Sequence, residues 1–315
     1  MYNRRIGIAV ITLALVSLAC SGLSSGKEEP SSASAAAETA ADSTEPADSR
    51  EPLPAETDEQ LDAAAYFDRG RMNYIAGNYE LAIADLDLAL EKDPLDDEAY
   101  YYRGLAHYRM GEWEQAISNF DQAVAIDPDD PDAYFYRGRV YYRQGDFPAA
   151  IQQFDLVEAI DPEDPDIYYY RGRAHYKLAE YRQAIAEFDK AIELDPLNAG
   201  AYYYRGRANY KLEIFFVAIM DFDEAIALDP SSAGSYYYRG RAYYKVDGFT
   251  RAIEDETQAI SLDPDHAYAY FYRGRAHAKM AHRADAIADL EKALELGMHN
   301  SFVKKAEAIL TSLGR

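Results

Sequence analysis

The sequence predicts an all-α solenoid: seven helical hairpins of 34 residues stacked in a row and closed by one further helix. Three observations carry this. An Arg-Gly pair recurs at Arg69-Gly70, Arg103-Gly104, Arg137-Gly138, Arg171-Gly172, Arg205-Gly206, Arg239-Gly240 and Arg273-Gly274, always 34 residues apart. Ala-Ile recurs in the same register from Ala82-Ile83 to Ala286-Ile287, and Asp-Pro ends six units, from Asp93-Pro94 to Asp263-Pro264. One fixed period sustained over seven units marks a repeat array, which grows by stacking and needs no central core.

Residues 1–19 stand outside the array. Arg4 and Arg5 precede an apolar run from Ile6 to Val16, followed by Ser17-Leu18-Ala19-Cys20. A short positive region, an apolar stretch and small residues make a secretory signal. The run is short for the ~20 residues a spanning helix needs. Ending on Cys20, the segment resembles a bacterial lipoprotein signal. That resemblance implies cleavage before Cys20, diacylation of Cys20 and a lipid anchor in a membrane of the bacterial cell envelope. Residues 20–57 are then mostly Ser, Ala, Thr, Pro and Glu, a composition that cannot bury enough apolar surface to fold. Between residues 21 and 62 there are 11 acids against Lys27 and Arg50. Self-repulsion makes this an extended spacer.

The array occupies residues 58–300. Its units run 63–96, 97–130, 131–164, 165–198, 199–232, 233–266 and 267–300, with the Arg-Gly glycine at position 8 of each. Thr57-Asp58-Glu59-Gln60 ahead of the first unit reads as a capping box. Each unit reads as two helices. The first carries the aromatics; the second carries an apolar stripe at positions 20, 21, 24, 27 and 28, as in Ala184, Ile185, Phe188, Ala191 and Ile192. Proline in each Asp-Pro disfavours helix at the residue before it and so stops the second helix. Asp130-Pro131 and Asp164-Pro165 read as N-cap and first helical residue of the next unit. Residues 301–315 offer Phe302, Ala306, Ile309 and Leu313 on one side, a capping helix over the last unit's open face.

The third unit carries Tyr134, Gly138, Tyr141, Ala150, Phe154 and Pro162 at positions 4, 8, 11, 20, 24 and 32, with Val157 at 27. In these positions it resembles the tetratricopeptide repeat. The resemblance implies a right-handed superhelix with the first helices lining its concave face.

Two departures stand out. Position 7 is arginine in all seven units, and its head is expected to find a carboxylate while its stem packs. Position 24 is Glu256 in the sixth unit where others carry Phe or Leu, so Glu256 either pairs with a nearby arginine or leaves that unit loose. Ile214, Phe216 and Val217, at a helix–helix turn that is usually solvated, form a candidate apolar contact patch.

The formal net charge of −23 argues against nucleic acid as a partner, because polyanion binding rests on phosphate neutralisation. Positive charge is nonetheless segregated to the first helices. Positions 5, 9, 12 and 13 share one helical face, the face that the resemblance turns to the groove. The first two units supply Phe67, Arg71, Tyr74, Tyr101, Tyr108 and Arg109; the third supplies Phe135, Arg139, Tyr142 and Arg143. The next two supply Tyr169, Arg173, Tyr176 and Lys177, then Tyr203, Arg207, Tyr210 and Lys211. The last two supply Tyr237, Arg241, Tyr244 and Lys245, then Phe271, Arg275 and Lys279. Rings and arginines are typical anchors for a ligand, and they also stack on one another by cation–π contact.

Cys20 is the single cysteine, which excludes an internal disulfide framework and a cysteine-built metal site. His107, His175 and His277 share one repeat position and read as structural polar residues, so no metal or other cofactor is expected. No nucleophile–base constellation or phosphate loop stands apart from the repeats, so the chain is not read as an enzyme. The leading expectation is a membrane-tethered scaffold that binds an extended acidic or C-terminal protein segment in an aromatic and basic groove. The alternative is an anionic envelope polysaccharide in the same groove.

Overall fold

The computed structural model describes residues 61–315; the signal peptide, Cys20, the tether and the capping box at 57–60 lie outside the described residues. Fifteen helices and no strand occur among the described residues. The hairpins are α1 (Ala63–Ile75) with α2 (Tyr79–Lys92), α3 (Asp97–Met110) with α4 (Trp113–Ile126), and α5 (Pro131–Gln144) with α6 (Phe147–Ile160). Next come α7 (Pro165–Lys177) with α8 (Tyr181–Leu194), and α9 (Ala199–Lys211) with α10 (Phe215–Leu228). The last are α11 (Ala233–Lys245) with α12 (Phe249–Leu262), and α13 (Ala267–Lys279) with α14 (Arg283–Leu296), followed by α15 (Asn300–Ser312). Among the described residues no helix is long and apolar enough to cross a membrane.

The punctuation of each hairpin is chemical. The last residue of one unit caps the next first helix. Asp62, Asp96, Asp130, Asp164, Asn198, Ser232 and His266 all accept a backbone amide of the first turn. Pro131 and Pro165 stand at the helix starts, where a missing N–H is harmless. Between the two helices position 15 turns through the left-handed region. Gly77, Gly111 and Gly145 do this freely, whereas Ala179, Glu213, Asp247 and Ala281 hold φ of 58–63° there. Each non-glycine residue costs about 1 kcal/mol of strain at that point.

The core repeats with the chain. The position-20 alanines are buried throughout, and the position-24 side chain lies flat on the glycine of its own first helix. A Cβ on Gly172 would stand 2.8 Å from Phe188 Cε1, so the helices approach more closely than any other residue permits. First helices of successive hairpins also touch one another, while second helices of successive hairpins barely meet. The first helices therefore form the inner line of the stack.

At the C-terminal end α15 buries Phe302 and Ala306, with Phe302 edge-on to Tyr268 and Phe271. The third buried residue is Leu310, where the sequence pattern pointed to Ile309 and Leu313; both of these are half-buried.

Candidate ligand-binding face

The position-7 arginines do find acidic partners, and they join neighbouring repeats. Arg205 donates from Nη2 to Asp221 of its own hairpin at 2.6 Å and from Nη1 to Asp189 of the preceding hairpin at 2.7 Å. Arg239 repeats this with Asp255 and Asp223. Arg171 reaches Glu187, Asp155 and Glu158. Hydrogen bonds from Arg171 and Tyr168 outweigh partial burial and hold the Glu158 carboxyl below its usual value. One guanidinium fork thus staples two repeats in the middle of the array.

Position 9 behaves differently. Arg207 lies 4.9 Å from the Tyr176 ring centroid, 5.3 Å from Tyr203, 5.2 Å from Tyr204 and 4.8 Å from Tyr238. These rings come from three successive first helices. Arg207 Nε is buried without a hydrogen-bond acceptor, so its charge is balanced by ring quadrupoles. Arg139, Arg173 and Arg241 occupy the equivalent cages of the third, fourth and sixth units. All four are buried, as are Phe135, Tyr169, Tyr203, Tyr237 and Phe271 at position 5 and Tyr74, Tyr108, Tyr142, Tyr176 and Tyr210 at position 12. Arg71, Arg275, Phe67, Tyr101 and Tyr244 are half-buried, and Leu105 replaces the arginine in the second unit with a buried aliphatic residue. The structure therefore narrows the face: cations and rings meant for a ligand largely occupy each other.

What remains open is position 13. Arg109 and Lys177 are half-buried, and Arg143, Lys211, Lys245 and Lys279 are exposed. Lys245 lies 5.8 Å from the Phe215 ring, while Lys211 and Lys279 make no ion pair among the described residues. Position 2 lies on the same face, about three helical turns before position 13. It carries Asp132 and Asp166 in the third and fourth units but Gly200 and Gly234 in the fifth and sixth. Burial, then the neighbouring Asp130 and Asp164, push the Asp132 carboxyl up; burial and Asp164 do the same at Asp166. The first-helix face is crowded with carboxylates in its middle and clear of them at position 2 in the fifth and sixth units.

The sequence left position 6, as at Tyr170, open between scaffold and groove. Tyr136, Tyr170, Tyr204 and Tyr238 stack on the position-24 ring of the preceding hairpin, with Tyr204 at 6.0 Å and 24° to Phe188. They also wall the arginine cages. The signal was present, because the first unit, which has no predecessor among the repeats, carries Asp68 there.

At the turn, Ile214, Phe216 and Val217 are exposed, with Phe216 at 72%, and Met220 one turn on extends the patch.

Family comparisons place this geometry. The tetratricopeptide repeat model matches residues 101–165, 169–233 and 237–301, and a second TPR repeat model matches residues 64–111. No curated protein matches. Among solved structures, a tetratricopeptide repeat protein from Parabacteroides merdae aligns with TM-score 0.58 at 19% identity, covering 80% of this chain and 99% of that one. The C-terminal part of a TPR repeat-containing protein from Cytophaga hutchinsonii aligns with TM-score 0.63 at 18% identity, covering 76% and 98%. YrrB, described as a TPR protein with an unusual peptide-binding site, aligns with TM-score 0.51 at 24% identity, covering 58% and 95%. These structures share the fold. With four matched segments spanning nearly all seven hairpins, the chain belongs to the tetratricopeptide repeat family.

Proposed function

We propose that the protein is a protein-interaction scaffold that holds an extended acidic segment along the first-helix face, tethered to a bacterial envelope membrane through Cys20. One observation carries the ligand class: the exposed position-13 cations of the later repeats are unopposed by acids at position 2 of the fifth and sixth units. Lys211, Lys245 and Lys279 are spaced one per repeat, a period suited to an extended chain with recurring carboxylates. The rigid tyrosine–arginine cages behind them hold those lysines on a fixed backbone, which reduces the entropy lost on binding.

Fluorescence anisotropy with a labelled polyglutamate peptide tests this reading. Binding that weakens with salt and is lost in the triple variant Lys211→Glu, Lys245→Glu, Lys279→Glu supports it. Equal binding by wild type and variant overturns the site. Preference for a polyuronate oligosaccharide over the peptide replaces the acidic segment with an anionic polysaccharide. Acylation at Cys20 is read separately, by mass spectrometry of the membrane-extracted protein.

A further inference from the structure

The seventh hairpin breaks a pairing that two other hairpins keep. Each helix–helix turn sets position 11, in the last turn of the first helix, against position 16, the residue just before the second. In the second and fourth units His107 Nδ1 meets Glu112 Oε2 at 2.6 Å and His175 Nδ1 meets Glu180 Oε2 at 2.7 Å. In the seventh unit His282 replaces the glutamate, and His277 Nδ1 stands 3.3 Å from His282 Nδ1. Asp285, one turn into α14, brings a carboxylate oxygen so that all three ligand atoms lie within 4.8 Å of one another. The geometry points to a divalent transition-metal site, of the zinc class, formed by His277, His282 and Asp285.

The distances suit the chemistry. Two nitrogens each about 2.05 Å from a tetrahedral ion stand about 3.3 Å apart, which is the separation found here. The backbone fixes it, since His282 N donates to His277 O at 2.9 Å across the turn at Ala281. On the other side of the first ring, His277 Nε2 faces Asp289 Oδ2 at 4.0 Å, and Asp289 is itself held by Arg273. A carboxylate on that side favours the proton on Nε2 and leaves the Nδ1 lone pair for a metal. Asp285 is exposed and rotates toward the imidazoles without disturbing packing. Three protein ligands then leave the fourth position to solvent or to a group from a partner. Imidazole with carboxylate suits Zn²⁺, Co²⁺, Ni²⁺ or Cu²⁺ over Mg²⁺ and Ca²⁺.

The array supplies its own control substitutions. Position 11 is Asn73 in the first unit and Asn209 in the fifth, where each amide donates to the equivalent of Asp289; position 16 is Asn78 in the first. His277→Asn with His282→Asn therefore recreates a pair this fold already accommodates. The experiment is calorimetric titration of the full-length chain with ZnCl₂, alongside this double variant and Asp285→Ala. Saturable uptake of one zinc per chain is expected, weakened at least ~100-fold in the double variant and ~10-fold in Asp285→Ala, with unchanged circular dichroism. Visible absorption of the Co²⁺-loaded chain reports tetrahedral coordination. No saturable uptake by the wild type overturns the site, and so does zinc affinity in the double variant equal to wild type. Should the double variant unfold, wild-type affinity in Asp285→Ala together with an octahedral Co²⁺ spectrum overturns it as well.

Discussion

Glu256 Oε1 lies 2.9 Å from the point a Cβ on Gly240 would occupy, and neither carboxyl oxygen has a hydrogen-bond partner. Glu256 fills the slot that Leu86, Phe120, Phe154, Phe188, Phe222 and Leu290 fill in the other six hairpins, and it is fully buried. Arg239, the position-7 arginine of its own hairpin, is engaged by Asp255 and Asp223. Of the two alternatives the sequence left open for Glu256, pairing with an arginine does not form.

The first prediction follows from that isolation. Burial pushes the Glu256 carboxyl well above its ordinary value; Asp255 adds to this, and Arg241 and Arg273 only partly oppose it. The folded state then keeps a proton that the unfolded chain releases above pH ~4.3. Where the native state binds more protons, stability falls as pH rises, here from ~4.3 toward the raised folded value, and it is flat below. Glu256→Leu removes this contribution and the unsatisfied carboxyl, whose cost is about 2 kcal/mol. Its Tm is expected above wild type at pH 7, with a gap that narrows toward pH 4. Thermal scans at several pH values measure the difference between the two chains, which isolates Glu256 from the other acids.

A second prediction concerns Arg207. Replacing it with Glu places a carboxylate among four ring faces that attract cations and repel anions. The expected loss exceeds ~3 kcal/mol, as for an uncompensated buried charge. Arg207→Lys keeps the charge but loses the flat guanidinium that stacks on several rings at once, with an expected loss of ~1 kcal/mol. Urea unfolding monitored by circular dichroism distinguishes the two. Equal, small losses in both variants would show that the cage does not hold the fold.

The architecture was legible in the sequence because every 34-residue unit repeats its glycine and its position-20 alanine at fixed offsets, and six of the seven repeat the proline stop. The face was legible only in part. Positions 5, 9, 12 and 13 do share a helical side, yet periodicity along one helix does not say how near the next first helix stands. That neighbour, through Tyr204 and Tyr238, turns Arg173 and Arg207 from groove residues into enclosed ones. The position-7 arginine was easier, since acids at positions 23 and 25 recur with the same period. The His277–His282 contact was hidden because it joins two helices across a turn.

The third prediction separates stability from recognition. Lys211, Lys245 and Lys279 make no ion pair in the array, so their reversal to glutamate is expected to change unfolding free energy within ~0.5 kcal/mol per site. Affinity for an acidic peptide is expected to fall at least tenfold at low ionic strength, with the effect shrinking as salt screens the field. A variant that loses stability as steeply as Arg207→Glu would show that these lysines belong to the scaffold.

The last prediction concerns the fifth hairpin, where Ile214, Phe216, Val217 and Met220 stand exposed at the start of α10. The position of Phe216 holds Glu80, Glu114, Arg182 and Thr250 in four other hairpins, so packing does not require a large apolar group there. Phe216→Ser removes a large exposed ring and is expected to leave Tm unchanged within a degree or two. If the patch mediates contact between copies, the weight-average mass from light scattering falls toward that of a monomer. Ala186, at the Met220 position of the fourth hairpin, is the matching site for a control: Ala186→Ser is expected to change neither quantity. Unchanged scattering for Phe216→Ser, together with undiminished recovery of crosslinked partners from envelope extracts, would show that the four residues form no contact site.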